Sequence, residues 1–323
     1  NKLDAVDLNA ALFFLVIGIG RRLNASETRA FNLMPCLKVM LDVNADPNAV
    51  SSSGTYILAS ACKAGVVAAV CYLLESRADL HAFSTTSAPM RQSAQIIDHL
   101  RGMCNRSMTA LMFGAAKGHA RTVRVLIEAA AHVDAREHMD KTALMLAATG
   151  SHEEVVEDLI SAAAAPNARA RGGGTALLFA IVGGLETGSS KDSSRRADVV
   201  KTLLDSKADP HAECEDGASP IWCAIQCDDV PVVRVLLEYS ADAHHRGPDG
   251  QRVIDGAHSD EMHTLLLHGN TACYNESPIA GCECECLDGL LKSVRVRLAL
   301  AVSMCSAIML GCSQRCSPKL ADL

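Results

Sequence analysis

Aromatic side chains are scarce in this 323-residue chain, at 3% of residues with a single Trp. A core without large rings has to be filled by small and aliphatic groups, which suits thin, closely stacked helices. An excess of positive charge is missing too. The formal net charge is -7, which argues against a general nucleic-acid partner. A membrane-spanning run is not evident: Leu298 to Gly311 carries no charge but has 14 residues, where a span needs about 20. A secretory leader is not evident either. Phe13 to Ile19 is apolar, yet Asp4 and Asp7 precede it where a basic segment belongs. The sequence opens on Asn1 without a Met, as a processed chain or a fragment would.

What is present is repetition. One pattern recurs as Ala45-Asp46-Pro47-Asn48, Ala78-Asp79-Leu80-His81, Ala131-His132-Val133-Asp134, Ala164-Ala165-Pro166-Asn167, Ala208-Asp209-Pro210-His211 and Ala241-Asp242-Ala243-His244. The endpoints lie 33, 53, 33, 44 and 33 residues apart, so the period is 33 with two insertions. A second landmark precedes most endpoints by 25 residues: Tyr56-Ile57-Leu58, Thr109-Ala110-Leu111, Thr142-Ala143-Leu144 and Ser219-Pro220-Ile221. Thr175-Ala176-Leu177 stands 36 residues before His211, which locates the shorter insertion inside that unit. Between landmarks run two short apolar segments of helical periodicity, split by a turn at Gly118 or Gly150. Such units cannot bury their apolar faces alone and must stack.

These residues resemble ankyrin repeats. The nearest match runs from Thr109-Ala110-Leu111 through Gly118-His119, Val123 and Val125-Leu126-Ile127-Glu128 to Val133-Asp134-Ala135. Tyr56 to Ala82, Thr142 to Ala168, Thr175 to Ala212 and Ser219 to His244 follow the same line. The resemblance implies an all-α solenoid of about seven helix-turn-helix units with finger loops, spanning residues 1–270. Weaker units flank the clear ones at Ala10 to Asp42 and at Gly250 to Gly269. Insertions fall near 20–31, 84–105 and 185–196. The second is expected in a finger, with a short helix over Ile96 to Leu100, and the third in a mobile interhelical turn, Gly188 to Ser194. The family's His after Thr-Pro-Leu is replaced here by Ala59, Met112, Met145, Leu178 and Trp222. Hydrogen bonds between fingers are therefore expected from the backbone alone.

Residues 271–323 form a Cys-rich tail with capping or docking helices, apolar on one face at Leu287, Leu290, Leu291, Val294 and Leu298. It holds Cys273, Cys282, Cys284, Cys286, Cys305, Cys312 and Cys316, half of the 14 cysteines. Cys282-x-Cys284-x-Cys286 has the ligand type of a soft-metal site but not the usual Cys-x₂₋₄-Cys spacing. Free thiols, disulfides and a metal all remain open there. The other cysteines, Cys36, Cys62, Cys71, Cys104, Cys214, Cys223 and Cys227, read as small buried hydrophobes.

No catalytic motif is visible and no cofactor is implied. Gly172-Gly173-Gly174-Thr175 lacks the Lys of a phosphate loop and sits where the family has a finger turn. His152-Glu153-Glu154 lacks the second His of a zinc-protease helix, and His244-His245 reads as an exposed pair without a companion carboxylate. Three Asn-x-Ser acceptors, at Asn24, Asn105 and Asn275, lie in inserted or terminal segments. They are read as unmodified, because the resemblance implies an intracellular, cytoplasmic protein.

Function then rests on surface. The resemblance places Lys63, Arg106, Met108, Lys117, His138, Met139, Lys141 and Arg171 on the concave face, with Trp222 on the same side. Glu215, Asp216 and Gln226 follow further along. An acidic chain thus gathers cations on one half of a binding surface, which points to a protein partner with an acidic segment. The reading is a non-enzymatic scaffold or adaptor. The alternative is a structural subunit held in a larger assembly through the inserted loops and the tail.

Overall fold

The computed structural model describes residues 9–16, 18, 34–43, 45–51, 54–84, 107–183, 190–248, 250–257 and 259–268. The expected tail, Arg106, Cys104 and the Ile96 to Leu100 helix lie outside these residues. Among the described residues there is no strand. Six helix pairs follow one another: α1 (9–16) with α2 (Met34–Asp42), α3 (Ile57–Ala64) with α4 (Val67–Glu75), and α5 (Ala110–Ala116) with α6 (Ala120–Glu128). Next come α7 (Ala143–Thr149) with α8 (Glu153–Ser161), α9 (Ala176–Val182) with α10 (Ser190–Asp205), and α11 (Pro220–Gln226) with α12 (Val230–Glu238). A 3₁₀ turn, Val253–Gly256, and α13 (Asp260–His268) end the described array. The chain is an all-α repeat solenoid.

The landmarks explain where helices start. Thr109, Thr142, Thr175 and Ser219 take extended backbone, and each hydroxyl accepts the N–H three residues on, at 3.4 Å. That is helix N-capping by the residue types best suited to it. Second helices end by turning left-handed at Arg77, Ala130, Ala163, Lys207 and Ser240, always the residue before the repeated Ala. Glycine is the usual occupant of such a C-terminal position, and none of the five is glycine.

Small residues then let the units close up. A Cβ on Gly183 would stand 2.3 Å from the Thr149 carbonyl oxygen, so the C-termini of α7 and α9 meet backbone to backbone. The slot where the family carries His is apolar and shut: Ala59, Met112, Met145 and Leu178 are at most 1% exposed. They join one continuous core from Leu12 to Leu266.

Two expectations are corrected. First, fingers are not joined by backbone alone. Backbone bonds do link them, Arg171 N–H to Met139 O at 2.9 Å and Glu215 N–H to Gly172 O at 3.0 Å. Side chains add a ladder at the repeated motif. Asn48, Asp134 and Asn167 each accept, through Oδ1, the N–H of the next unit's Asp79, Ala165 and Asp209, at 2.6, 3.0 and 2.8 Å. At the step where His81 replaces Asn, its ring packs on His132 with centroids 4.1 Å apart. The motif itself is the network, and the lost His slot does not remove it.

Second, the third insertion is not a loose turn through Ser194: α10 begins at Ser190 and has 16 residues, where α6, α8 and α12 have 9. Ser193 and Arg196 are packed against Asp229. By contrast, Ser84 and Met108 pair across the long insertion, with Ser84 N–H to Met108 O at 3.0 Å and Ser107 N–H to Ser84 O at 2.7 Å. The chain leaves and re-enters that finger at one point.

Candidate functional site

Every pair presents two edges, one made of fingers and one of interhelical turns. The turn edge is occupied internally. Val66, His119, His152 and Asp229 each stand just before a second helix, and Arg196, inside the longer α10, is their counterpart in register despite both insertions. His119 reaches back to the Lys63 carbonyl with Nε2 at 3.2 Å, and its ring lies against Gly65, whose φ is +70°. His152 repeats the arrangement over Gly118, φ +71°. Burial of its ring disfavours the imidazolium and moves it below the ordinary value of 6.5, against the pull of a hydrogen bond with the Ala116 backbone. Further along, Arg196 and Asp229 form a buried ion pair at 2.7 Å, with side chains 9% and 1% exposed. These groups hold units together and offer little to a partner.

The finger edge holds part of the expected set, with Lys63 and Lys117 on the turn edge instead. Lys63, Lys117, His138 and Arg171 are exposed. Met139 is half-buried, and its carbonyl carries the bond to Arg171. Met108 is 9% exposed and tied into the bridge with Ser84, so its side chain belongs more to the core than to a contact surface. Trp222 is half-buried, its indole packed on Gly247 of the next finger, where an added Cβ would meet Nε1 at 2.0 Å. Lys141 departs most from a solvated rim cation. It is half-buried, with Nζ 5.2 Å from the centroid of the fully buried Phe179 ring. Burial disfavours its charged form, opposed by the nearby Glu137 carboxylate. The structure therefore brings His138, Met139, Lys141 and Arg171 together on two adjacent fingers, while Lys63 and Lys117 sit at the ends of α3 and α5, away from the finger tips.

The sequence reading passed over two cations of this edge. Arg136 donates from Nη1 to the Arg169 carbonyl at 3.0 Å, and Arg169 reaches the Glu213 carbonyl in the same way. Their 33-residue spacing was the available signal. His244-His245 is also not a free exposed pair. His245 faces Glu213 of the preceding finger, Nε2 to Oε1 at 3.5 Å, a companion supplied by stacking and not by its own helix. Gly172 and Gly173, both at positive φ, form the finger turn that the spacing indicates. Cys62, Cys214 and Cys223 are buried, and burial pushes the Cys62 and Cys214 thiols up, so they are inert hydrophobes. Cys36 is exposed instead. No helix among the described residues is long and apolar enough to cross a membrane.

Comparison with known proteins agrees with this geometry. A family model described as ankyrin repeats in three copies matches residues 25–136, 87–170 and 111–187, and a single ankyrin-repeat model matches 216–248. Together they cover more than half of the chain. Among solved structures, the human ASB11 ankyrin repeat domain is similar at 22% identity, covering 83% of this chain and 99% of that one, with a TM-score of 0.60. That likeness concerns the fold. No curated protein matches.

Proposed function

Since the chain belongs to the ankyrin-repeat family, whose repeats are generally protein–protein interaction modules, we propose that it is a non-enzymatic scaffold or adaptor that grips a protein partner along its finger edge. The observation that carries the reading is the asymmetry between the two edges. The turn edge spends His119, His152, Arg196 and Asp229 on contacts between units, whereas the finger edge leaves His138 and Arg171 exposed. An acidic segment of the partner is the complement of that set, and attraction across it speeds encounter and selects partners.

The test is cross-linking of the endogenous protein to what copurifies with it, followed by Arg171→Glu. That side chain is exposed, so the change leaves folding intact while reversing the charge on the finger edge. Cross-links concentrated on the fingers, and capture that weakens on charge reversal and at raised salt, are expected. Cross-links confined to the even-numbered helices, with capture unchanged, refute it.

A further inference from the structure

Lys141 differs from Arg136 and Arg169, whose guanidinium groups are bonded to finger carbonyls, in that its ammonium is set over a buried ring. The finger Glu137 to Lys141 closes on itself: Glu137 N–H donates to the Lys141 carbonyl at 3.1 Å, and Asp140 N–H to the Glu137 carbonyl at 2.8 Å. The Glu137 carboxylate, 6% exposed, spends one oxygen on the Lys141 backbone N–H at 3.4 Å and the other on His138 Nδ1. The ammonium of Lys141 is left over the Phe179 ring. Among the described residues no carboxylate lies within ion-pairing distance of Nζ and no acceptor within hydrogen-bonding distance.

A cation–π contact recovers only part of what an ammonium loses on leaving water. Its three N–H donors meet no acceptor among the described residues, and an anion is the group whose charge and acceptor oxygens complement them. Burial already weakens the hold of this amine on its proton, as expected of a cation short of a partner. The neighbouring finger supplies a second cation. Its Arg171 N–H is bonded to Met139 O, which sets the Arg171 backbone beside Met139, two residues from Lys141, and the Met139 side chain is half-buried.

Resting on the interaction-module reading above, we propose that Lys141 and Arg171 anchor one carboxylate side chain of an extended partner peptide, with Met139 taking an adjacent apolar residue. A monoanion fits better than a phosphate because Glu137 already places negative charge beside Lys141. A dianion would meet that repulsion with only one ammonium and one guanidinium to offset it. The flexible thioether suits a variable apolar neighbour.

The experiment pans the full chain against a phage library of random 12-residue peptides, then measures Kd of a selected, fluorescein-labelled peptide. Enrichment of Asp or Glu next to an apolar residue is expected. Lys141→Met keeps the stem over Phe179 and removes the charge, and it should weaken that peptide 10- to 100-fold. Replacing the peptide's acid by Gln on unaltered protein should give the same loss, which keeps the result independent of how the variant folds. Peptides without acidic preference, an affinity indifferent to Lys141→Met and to the Gln peptide, or tighter binding when phosphoserine replaces the acid would each overturn the anchor and leave the module reading standing. Failure to select any peptide that competes at the finger edge would remove both.

Discussion

Replacing Arg196 by Met strands a carboxylate. Asp229 is 1% exposed and all its solvation comes from protein: Arg196 Nε at 2.8 Å and Nη2 at 2.7 Å on Oδ2, the Ser193 hydroxyl at 3.2 Å and the Val232 N–H at 3.4 Å on Oδ1. Removing the guanidinium leaves two neutral donors for a full charge in a site closed to water. Breaking a buried pair from one side costs about 3–5 kcal/mol, because an uncompensated charge stays behind. Removing both charges is a different matter. In Arg196→Met/Asp229→Asn the amide still accepts from Val232 and caps α12, so the double variant should lose about 1 kcal/mol or less. The single change Asp229→Asn should lie between, at roughly 2 kcal/mol, since Arg196 then keeps only Ser193. The sum of the singles would exceed the double by about 4 kcal/mol or more, the signature of a coupled pair. Urea unfolding followed by the fluorescence of Trp222, the only Trp and in the same unit as Asp229, measures each value. Raising salt should change the single-variant losses little, because the pair is shielded from solvent. A loss under about 1 kcal/mol for Arg196→Met, or a double variant as weak as the single, would refute the reasoning.

Acid should weaken the array through His152. Its folded-state value lies below 6.5, so unfolding takes up a proton there: stability is level above about pH 6.5 and falls as pH drops below it, and His152→Gln should flatten that fall. The slope stays under the one-proton ceiling of about 1.4 kcal/mol per pH unit, since the half-buried ring is partly screened; an unchanged profile in the variant would exclude this source. Ala130→Gly relieves a left-handed alanine at φ +64° and should raise stability by about 0.5–1 kcal/mol in urea, whereas a loss would mean that unfolded-chain entropy outweighs the strain. Gly183→Ala drives a methyl into the Thr149 carbonyl oxygen and should cost about 2 kcal/mol or more, with a neutral result showing that α7 and α9 can separate.

Much of this was legible in the residues, and the reasons differ by element. Thr109, Thr142 and Thr175 announce helix starts because capping is local chemistry. The repeated Ala-Asp motif gave the period, but its use as a ladder from Asn48, Asp134 and Asn167 to the next unit is a contact between residues 31 to 42 apart, visible only once units stack. Composition alone favours a loop over Gly188 to Ser194, and the insertion bounds 185–196 take in Arg196 without assigning it a contact. Counting 33 back from Asp229, the residue that opens α12, would have placed it in the same slot. Nothing local in the sequence distinguishes Lys141, over a ring supplied 38 residues later, from the exposed Lys117.

The length of α10 has a geometric consequence. Its seven residues beyond the 9 of its neighbours add about 10 Å at 1.5 Å per residue, all at the N-terminal end, on the turn edge. An otherwise ruled edge therefore carries a post partway along. A rod-shaped molecule lying lengthwise there would have to stop or detour at the fifth pair, which divides the edge into two shorter berths of unequal length. The finger edge has no such obstruction at that step, where Gly172 O and Glu215 N–H bridge directly.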